Sequence, residues 1–284
     1  MRIDSHHHVW DLSVRAQDWM EGDALKPISR TFTMDDINPA LAESNIDFTV
    51  IVQTVAVMEE TPEFLDIAAS HPKVAGVVGW LDMEAEDITP ALESHLAHPA
   101  ARHLVSIRDL AQYKEDPKWL ARNGVVANLQ RLGKRGISYD LLTLAHQLPA
   151  AIDAVRACPQ TQFVLDHISK PNIADGDIDQ WSRDVRTLAA LPNVVVKVSG
   201  MVTEATWTDW TPETFRPYVD VLTESFGPER MMFGSDWPVC LVAGGYGDIV
   251  GVVETLTSSW SAAEQQAIWS GTAISAYRLE GLLA

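Results

Sequence analysis

The sequence predicts an α/β protein, a single (β/α)8 barrel with extra C-terminal helices, on three observations. Short apolar, β-branched runs alternate with stretches of helical periodicity eight times along the 284 residues. Several runs, among them Val50-Ile51-Val52, Val77-Val78-Gly79 and Val194-Val195-Val196, are continuously apolar, as parallel strands covered on both faces require. No G-x-G-x-x-G fingerprint follows the first run and no Walker loop occurs, which removes the main support for an open, doubly wound sheet. Right-handed crossovers close such a series into a barrel of about 250 residues.

In chain order, strands are expected at 2–9, 48–55, 74–81, 104–108, 137–142, 162–167, 194–199 and 230–235. The helices between them are expected at 33–44, 62–70, 88–96, 117–131, 148–157, 178–191, 212–226 and 248–258. Thr61-Pro62-Glu63 and Thr211-Pro212-Glu213 each set a capping hydroxyl before a first-turn proline, and Ser261 with Glu264 makes a capping box. Residues 11–30 form a long polar segment carrying Trp19, expected to lie as a loop over the barrel mouth, and the residues after Ser261 should be terminal helices packed outside. With no repeat, low-complexity stretch or Gly/Ser linker, residues 1–284 read as one domain.

Composition narrows the partners. Thirty-nine acidic against 21 basic residues give a net charge of −18, which repels nucleic-acid backbones and anionic lipid surfaces and favours a small-molecule partner. A hydrophobic content of 46% with 21% charged residues suits a packed globular chain, with or without homo-oligomerisation. Neither a membrane-length apolar run nor a signal-peptide core is present, and two cysteines, Cys158 and Cys240, make no disulfide framework. A cytoplasmic location is the expectation.

The chemistry gathers at strand ends. The first strand closes on Asp4-Ser5-His6-His7-His8, where strand alternation aims His6 and His8 to one side and His7 to the other. Val164-Leu165-Asp166-His167 and Phe233-Gly234-Ser235-Asp236-Trp237-Pro238 end two other strands with an imidazole and a carboxylate. His6, His8, His167 and Asp236 together suit one divalent, zinc-like metal with a position left open for water. The alternatives are an exposed histidine cluster and a helix-capping Asp236, and the rigid Gly234, Ser235 and Pro238 frame weakens the second.

These motifs, with Ile168-Ser169-Lys170-Pro171 and Val196-Lys197-Val198-Ser199-Gly200, resemble the amidohydrolase superfamily in its lactonase-like branch. Residues 199–207 and Trp237-Pro238-Val239-Cys240 look most like the L-fuconolactonases and related sugar lactonases. The resemblance implies a distorted TIM barrel that opens a cyclic ester of a sugar acid. It matches His6, His8 and His167 to metal-site histidines and Asp236 to the general base, with a metal or His167 stabilising the oxyanion. The bridging lysine or glutamate of two-metal members is missing from the fourth strand, which ends Arg108-Asp109, so the resemblance implies one divalent ion rather than two, or none, since some members of this branch work without a metal.

Substrate contacts are expected from Gln53, Arg108, Asp140, Lys197 and Trp237 at other strand ends, and from Trp207 in the loop after strand seven. Trp80 and Trp210 are further candidates for stacking on a sugar. Only Arg108, Lys170 and Lys197 are cationic near strand ends, which favours a lactone with few or no acid groups. Each has a structural alternative: Arg108 pairing with a barrel acid, Lys170 capping a loop before Pro171, Asp140 capping a helix. Ser199 and Ser235 lie in no G-x-S-x-G elbow and read as turn-formers or substrate donors. Competing functions are a metal-dependent decarboxylase or hydrolase of an aromatic or muconolactone-type acid, which needs a carboxylate clamp, and a catalytically silent sugar-acid binder.

Overall fold

A computed structural model describes residues 1–283. Eight parallel strands, β1 (Ile3–His7), β2 (Phe48–Val52), β3 (Val74–Gly79), β4 (Leu104–Asp109), β5 (Ser138–Leu141), β6 (Phe163–Leu165), β7 (Val194–Val198) and β8 (Met231–Phe233), pair in sequence order. Around them run α1 (Met34–Glu43), α2 (Glu60–Ser70), α3 (Thr89–Leu96), α4 (Asn123–Lys134), α5 (Leu148–Ala157), α6 (Asp179–Ala189), α7 (Pro212–Phe226) and α8 (Tyr246–Leu256). Two short helices follow, α9 (Ala262–Gln266) and α10 (Thr272–Tyr277), joined by a π-helical turn. No described helix is long and apolar enough to cross a membrane. The expected (β/α)8 barrel is therefore present.

The ladder runs continuously from β1 to β8, but β8 and β1 share no strand pairing. Side chains close that seam instead. Ser235 donates its backbone N–H and its Oγ to the two oxygens of Asp4 at 2.9 and 2.6 Å, and the Tyr246 hydroxyl donates to Asp4 at 2.9 Å. Ser5 Oγ donates to the Phe233 carbonyl, and a lone parallel bridge joins His7 to Trp237. Burial raises the Asp4 carboxyl to about 6 against the pull of these donors. The distortion of the barrel thus sits where the site residues of β1 and β8 meet.

Local signals set most helix ends. Thr211 caps α7 with Pro212 in its first turn, and Ser261 accepts from Glu264 N at the start of α9. Two starts differ from the sequence expectation. Helix α2 begins at Glu60, so Thr61 is not its cap; Thr61 Oγ1 instead accepts from Trp80 N at 2.9 Å. Helix α4 begins at Asn123 rather than near Pro117, because Arg122 is extended (φ −64°, ψ 137°) and separates it from a short 3-10 turn around buried Trp119.

The terminal helices do not merely pack outside. Ala273, Ala276, Tyr277 and Leu279 join Ile3, Val50, Val52, Val164, Val195 and Met232 in one buried apolar cluster that plugs the N-terminal end of the barrel. Tyr277 reaches past this layer, and its hydroxyl donates to Asp140 Oδ2 at 2.7 Å in a site without solvent. The Ser138 hydroxyl donates to the Ala276 carbonyl at 2.7 Å. Replacing Tyr277 by Phe keeps the ring and removes one donor from Asp140, which Lys197 and Ser106 still hold. Stability should therefore fall by about 1–3 kcal/mol, the worth of one buried hydrogen bond to a charged group. A thermal midpoint equal to that of the unaltered chain would show that the plug is held by apolar contact alone.

Candidate active site

Strand alternation layers the barrel interior. Val164 and Val195 belong to the apolar plug, and two residues further along the chain come Asp166, just past the end of β6, and Lys197 on β7. Arg108 and Asp140, direct register partners on β4 and β5, complete a charged layer above the plug. Lys197 Nζ lies 2.6 Å from Asp140 Oδ2 and 3.0 Å from Asp166 Oδ1, and Arg108 donates to Asp166 Oδ2 at 3.0 Å. Ser106 Oγ donates to Asp140 at 2.6 Å. Burial alone would raise the Asp166 carboxyl; Lys197, His6 and Arg108 hold it well below the ordinary carboxylate range.

Above that layer stand His6, His8, His167 and Asp236. His6 Nε2 and His8 Nε2 are 3.2 Å apart, and Asp236 Oδ1 lies 3.4 Å from His8 Nε2 and 3.8 Å from both His6 Nε2 and His167 Nε2. Zinc bonded at about 2.0–2.1 Å in tetrahedral geometry holds its ligand atoms about 3.3 Å apart. His6, His167 and Asp236, whose ligand atoms all lie within 4.8 Å of one another, are the three that come together closely enough to share one ion. Each imidazole is braced from behind: His8 Nδ1 by the Val52 carbonyl at 2.7 Å, His167 Nδ1 by Ser199 Oγ at 2.9 Å, His6 Nδ1 by Lys197 at 3.1 Å and Asp166 at 3.4 Å. A carbonyl can only accept, so the Val52 contact fixes a proton on His8 Nδ1 and turns Nε2 toward Asp236. His7 turns away, and burial lowers its imidazole to about 3.

Burial also pushes the His167 imidazole down, to about 4, so it is neutral at pH 7 and able to ligate. Burial acts in the opposite sense on Asp236, but the neighbouring His167, His8 and His6 outweigh it and hold the carboxyl below its usual range. Asp236 is therefore an ionised acceptor in a nearly dry site. Its backbone is left-handed (φ 57°), held by its N–H donating to the His6 carbonyl at 2.8 Å.

Strand β6 ends at Leu165, so Asp166 and His167 do not finish a strand as expected. His167, Ile168, Ser169 and Lys170 all have positive φ (51°, 50°, 63° and 46°), a left-handed turn that costs roughly 1–2 kcal/mol per residue. Its surroundings enforce it: Trp181 Nε1 donates to the Ile168 carbonyl at 2.7 Å, and Ser169 Oγ meets Thr143 Oγ1 at 2.7 Å. Gly200 (φ 63°) lies against the His167 ring, where a Cβ would come within 2.7 Å of it.

The cavity over this floor is lined by His8, Arg108, His167, Lys170 and Asp236, with Thr54 and Gln112 at its sides and Trp19, Leu110, Tyr113, Leu142 and Val239 as apolar walls. Of the six residues expected to touch substrate, only Arg108 is in this lining. Gln53 is buried beside it and accepts from its guanidinium. Asp140 and Lys197 are sealed in the layer beneath. Trp237 is buried edge-on against Phe32, and Trp207 donates to the Thr203 carbonyl. Trp80 and Trp210 also lie outside the lining, bonded to Asp109 and to the Ala243 carbonyl. The tryptophan at the cavity is Trp19, on the loop expected over the mouth; Gln112, Tyr113 and Val239 sit on connections whose sequences carry no periodic signal.

An amidohydrolase family model matches residues 3–279. The chain is 34% identical to an L-fucono-1,5-lactonase of Burkholderia multivorans, over 98% of this chain and 96% of that one. To the L-fucono-1,5-lactonase of Burkholderia ambifaria it is 35% identical, over 87% and 83%. An amidohydrolase from Burkholderia multivorans crystallised with bound zinc superposes with a TM-score of 0.91 at 33% identity, covering 98% of this chain and 99% of that one. With a barrel of this topology and a histidine and aspartate cluster at its mouth, the chain belongs to the amidohydrolase family.

Proposed function

We propose that the protein hydrolyses a sugar-acid lactone of the L-fucono-1,5-lactone type to the aldonate. The observation that carries this reading is the cluster of His6, His167 and an ionised Asp236 at the floor of a cavity that His8, His167 and Asp236 line. The likeness to the two L-fucono-1,5-lactonases over most of the chain supports the substrate class. The decarboxylase reading has less support: Arg108, the cation at the cavity floor, is already paired with Asp166 and Gln53, and no decarboxylase is among the relatives at 30% identity or more reported above.

Asp236 is the general base. It takes a proton from water as the water oxygen attacks the lactone carbonyl, then returns that proton to the departing ring oxygen. No covalent nucleophile is needed, since Ser199 is committed to His167 and Ser235 to Asp4. His6, His8, His167 and Asp236 are the residues that would hold a divalent ion, zinc by the chemistry of the donor set, which supplies Lewis acidity to water and carbonyl. The apolar walls give the sugar ring a face to rest on and limit access of bulk water. Cys158 and Cys240 are free and buried, as suits the reducing compartment we assign.

Three outcomes are expected. Wild-type turnover of L-fucono-1,5-lactone above the buffer rate, with Asp236→Asn lowering kcat/KM by roughly 10²–10⁴-fold and leaving the thermal midpoint in place, is the primary test; near-normal activity in that variant removes Asp236 as base. His6→Gln should reduce the zinc retained per chain after dialysis, read by elemental analysis, and equal zinc content in both proteins would take His6 out of the site. The pH profile follows from signs. A base held below its usual range stays ionised as pH falls, and an imidazole at about 4 stays neutral. So kcat/KM should hold level between about pH 7 and about pH 5 and fall only below that; an acidic limb centred near about pH 6 contradicts this assignment.

A further inference from the structure

Three cations lie in or beneath the cavity, and two are fully spent. Arg108 has five N–H donors. Its Nε reaches Gln53 Oε1 at 3.1 Å, its Nη2 reaches Gln53 O and Oε1 at 2.5 and 2.8 Å, and its Nη1 faces Asp166 Oδ2 at 3.0 Å and His6 Nε2 at 3.4 Å. Lys197 has no solvent exposure and is surrounded by Asp140, Asp166 and His6. Lys170 lines the cavity and is in none of the ion pairs within 4.0 Å among the described residues; the carboxylate nearest in effect is Glu204, whose carboxyl burial raises and the charge of Lys170 pulls down. It is the one cation there whose donors remain uncommitted.

The backbone explains how it comes to stand there. Lys170 N–H donates to the His167 carbonyl at 2.8 Å across four left-handed residues, so the turn is a mirror-handed 3-10 turn. In a 3-10 turn residues three apart lie on the same face. His167 and Lys170 are therefore presented together to the cavity, and both line it.

We propose that Lys170 is a catalytic residue, the seat for the negative charge of the reaction. Its ammonium binds the lactone carbonyl oxygen as water adds, and then the carboxylate of the product. This rests on the lactonase reading above. In the step, the water oxygen bonds to the carbonyl carbon, one water proton passes to Asp236, and the carbonyl π pair becomes an oxyanion against Lys170. The pair then re-forms the carbonyl, the ring C–O bond breaks, and the ring oxygen takes the proton from Asp236. The acid so formed loses its proton to solvent, and its carboxylate stays on Lys170 until release.

The test uses wild type, Lys170→Met, Lys170→Gln and Lys170→Arg, with turnover of L-fucono-1,5-lactone and calorimetric binding of L-fuconate as separate readouts. Both neutral variants should lose roughly 10²-fold or more in kcat, the usual cost of one oxyanion donor, and bind L-fuconate at least about tenfold more weakly. Lys170→Arg, which keeps the charge, should stay within a few-fold on L-fuconate. The Gln variant carries the result if the Met variant has a lowered thermal midpoint. Wild-type kcat together with wild-type L-fuconate affinity in a folded neutral variant overturns the proposal, as does an arginine variant as weak as the neutral ones. Wild type that binds L-fuconate through Lys170 but turns over no lactone keeps the anion seat and sinks the lactonase reading. Wild type that does neither sinks both.

Discussion

Everything at the mouth of this barrel stands on a layer of buried charge. Arg108 and Lys197 face Asp140 and Asp166 with almost no solvent between them, and the two cations balance the two anions. An isolated charge in such a place is prohibitively costly, so the set is stable only as a whole, and removing one partner of a buried pair typically costs about 3–5 kcal/mol. The layer also fixes register. Arg108 and Asp140 are direct partners across β4 and β5, and a slip of one residue would turn both charges into the apolar shell beneath the helices.

From this layer, order passes both ways along the barrel axis. Upward, Lys197 and Asp166 brace His6 from behind and so set one corner of the four-residue cluster. Downward, Asp140 is tied to Tyr277, which anchors α10 as the floor. The helix farthest along the chain is thus three hydrogen-bonded contacts from a site residue near its start, through Asp140 and Lys197 to His6. The seam between β8 and β1 follows the same economy: Asp4 joins what strand pairing leaves open and, through Ser235, positions the loop that carries Asp236.

The left-handed turn at 167–170 shows where local and tertiary demands conflict. The strand pattern through Val164 and Leu165 points to continuation into Asp166 and His167, and local propensity offers nothing against it. Packing overrides it: Trp181, Thr143, Ser199 and the bare face of Gly200 leave the chain room only for a left-handed path. The histidine that the sequence places at a strand end is in the site all the same, and the cost of the turn goes into presenting Lys170 beside it.

The sequence by itself determined the barrel and the cluster at its mouth. Runs such as Val50-Ile51-Val52 are legible because apolar burial on both faces leaves a periodic trace, and His6, His8, His167 and Asp236 are legible because metal-type chemistry uses few residue types at strand ends. Which polar residues face the substrate was decided only in three dimensions. Gln53, Arg108, Asp140 and Lys197 all point inward by alternation, but depth along the barrel axis, which no periodicity records, separates a cavity wall from a sealed ion pair. Trp19 enters and Trp237 leaves for the same reason: aromatic rings go wherever apolar surface needs cover, and the surface near Trp237 belongs to Phe32. The terminal helix gave no hint of Tyr277, because a buried hydroxyl is specified by the carboxylate waiting for it 137 residues earlier.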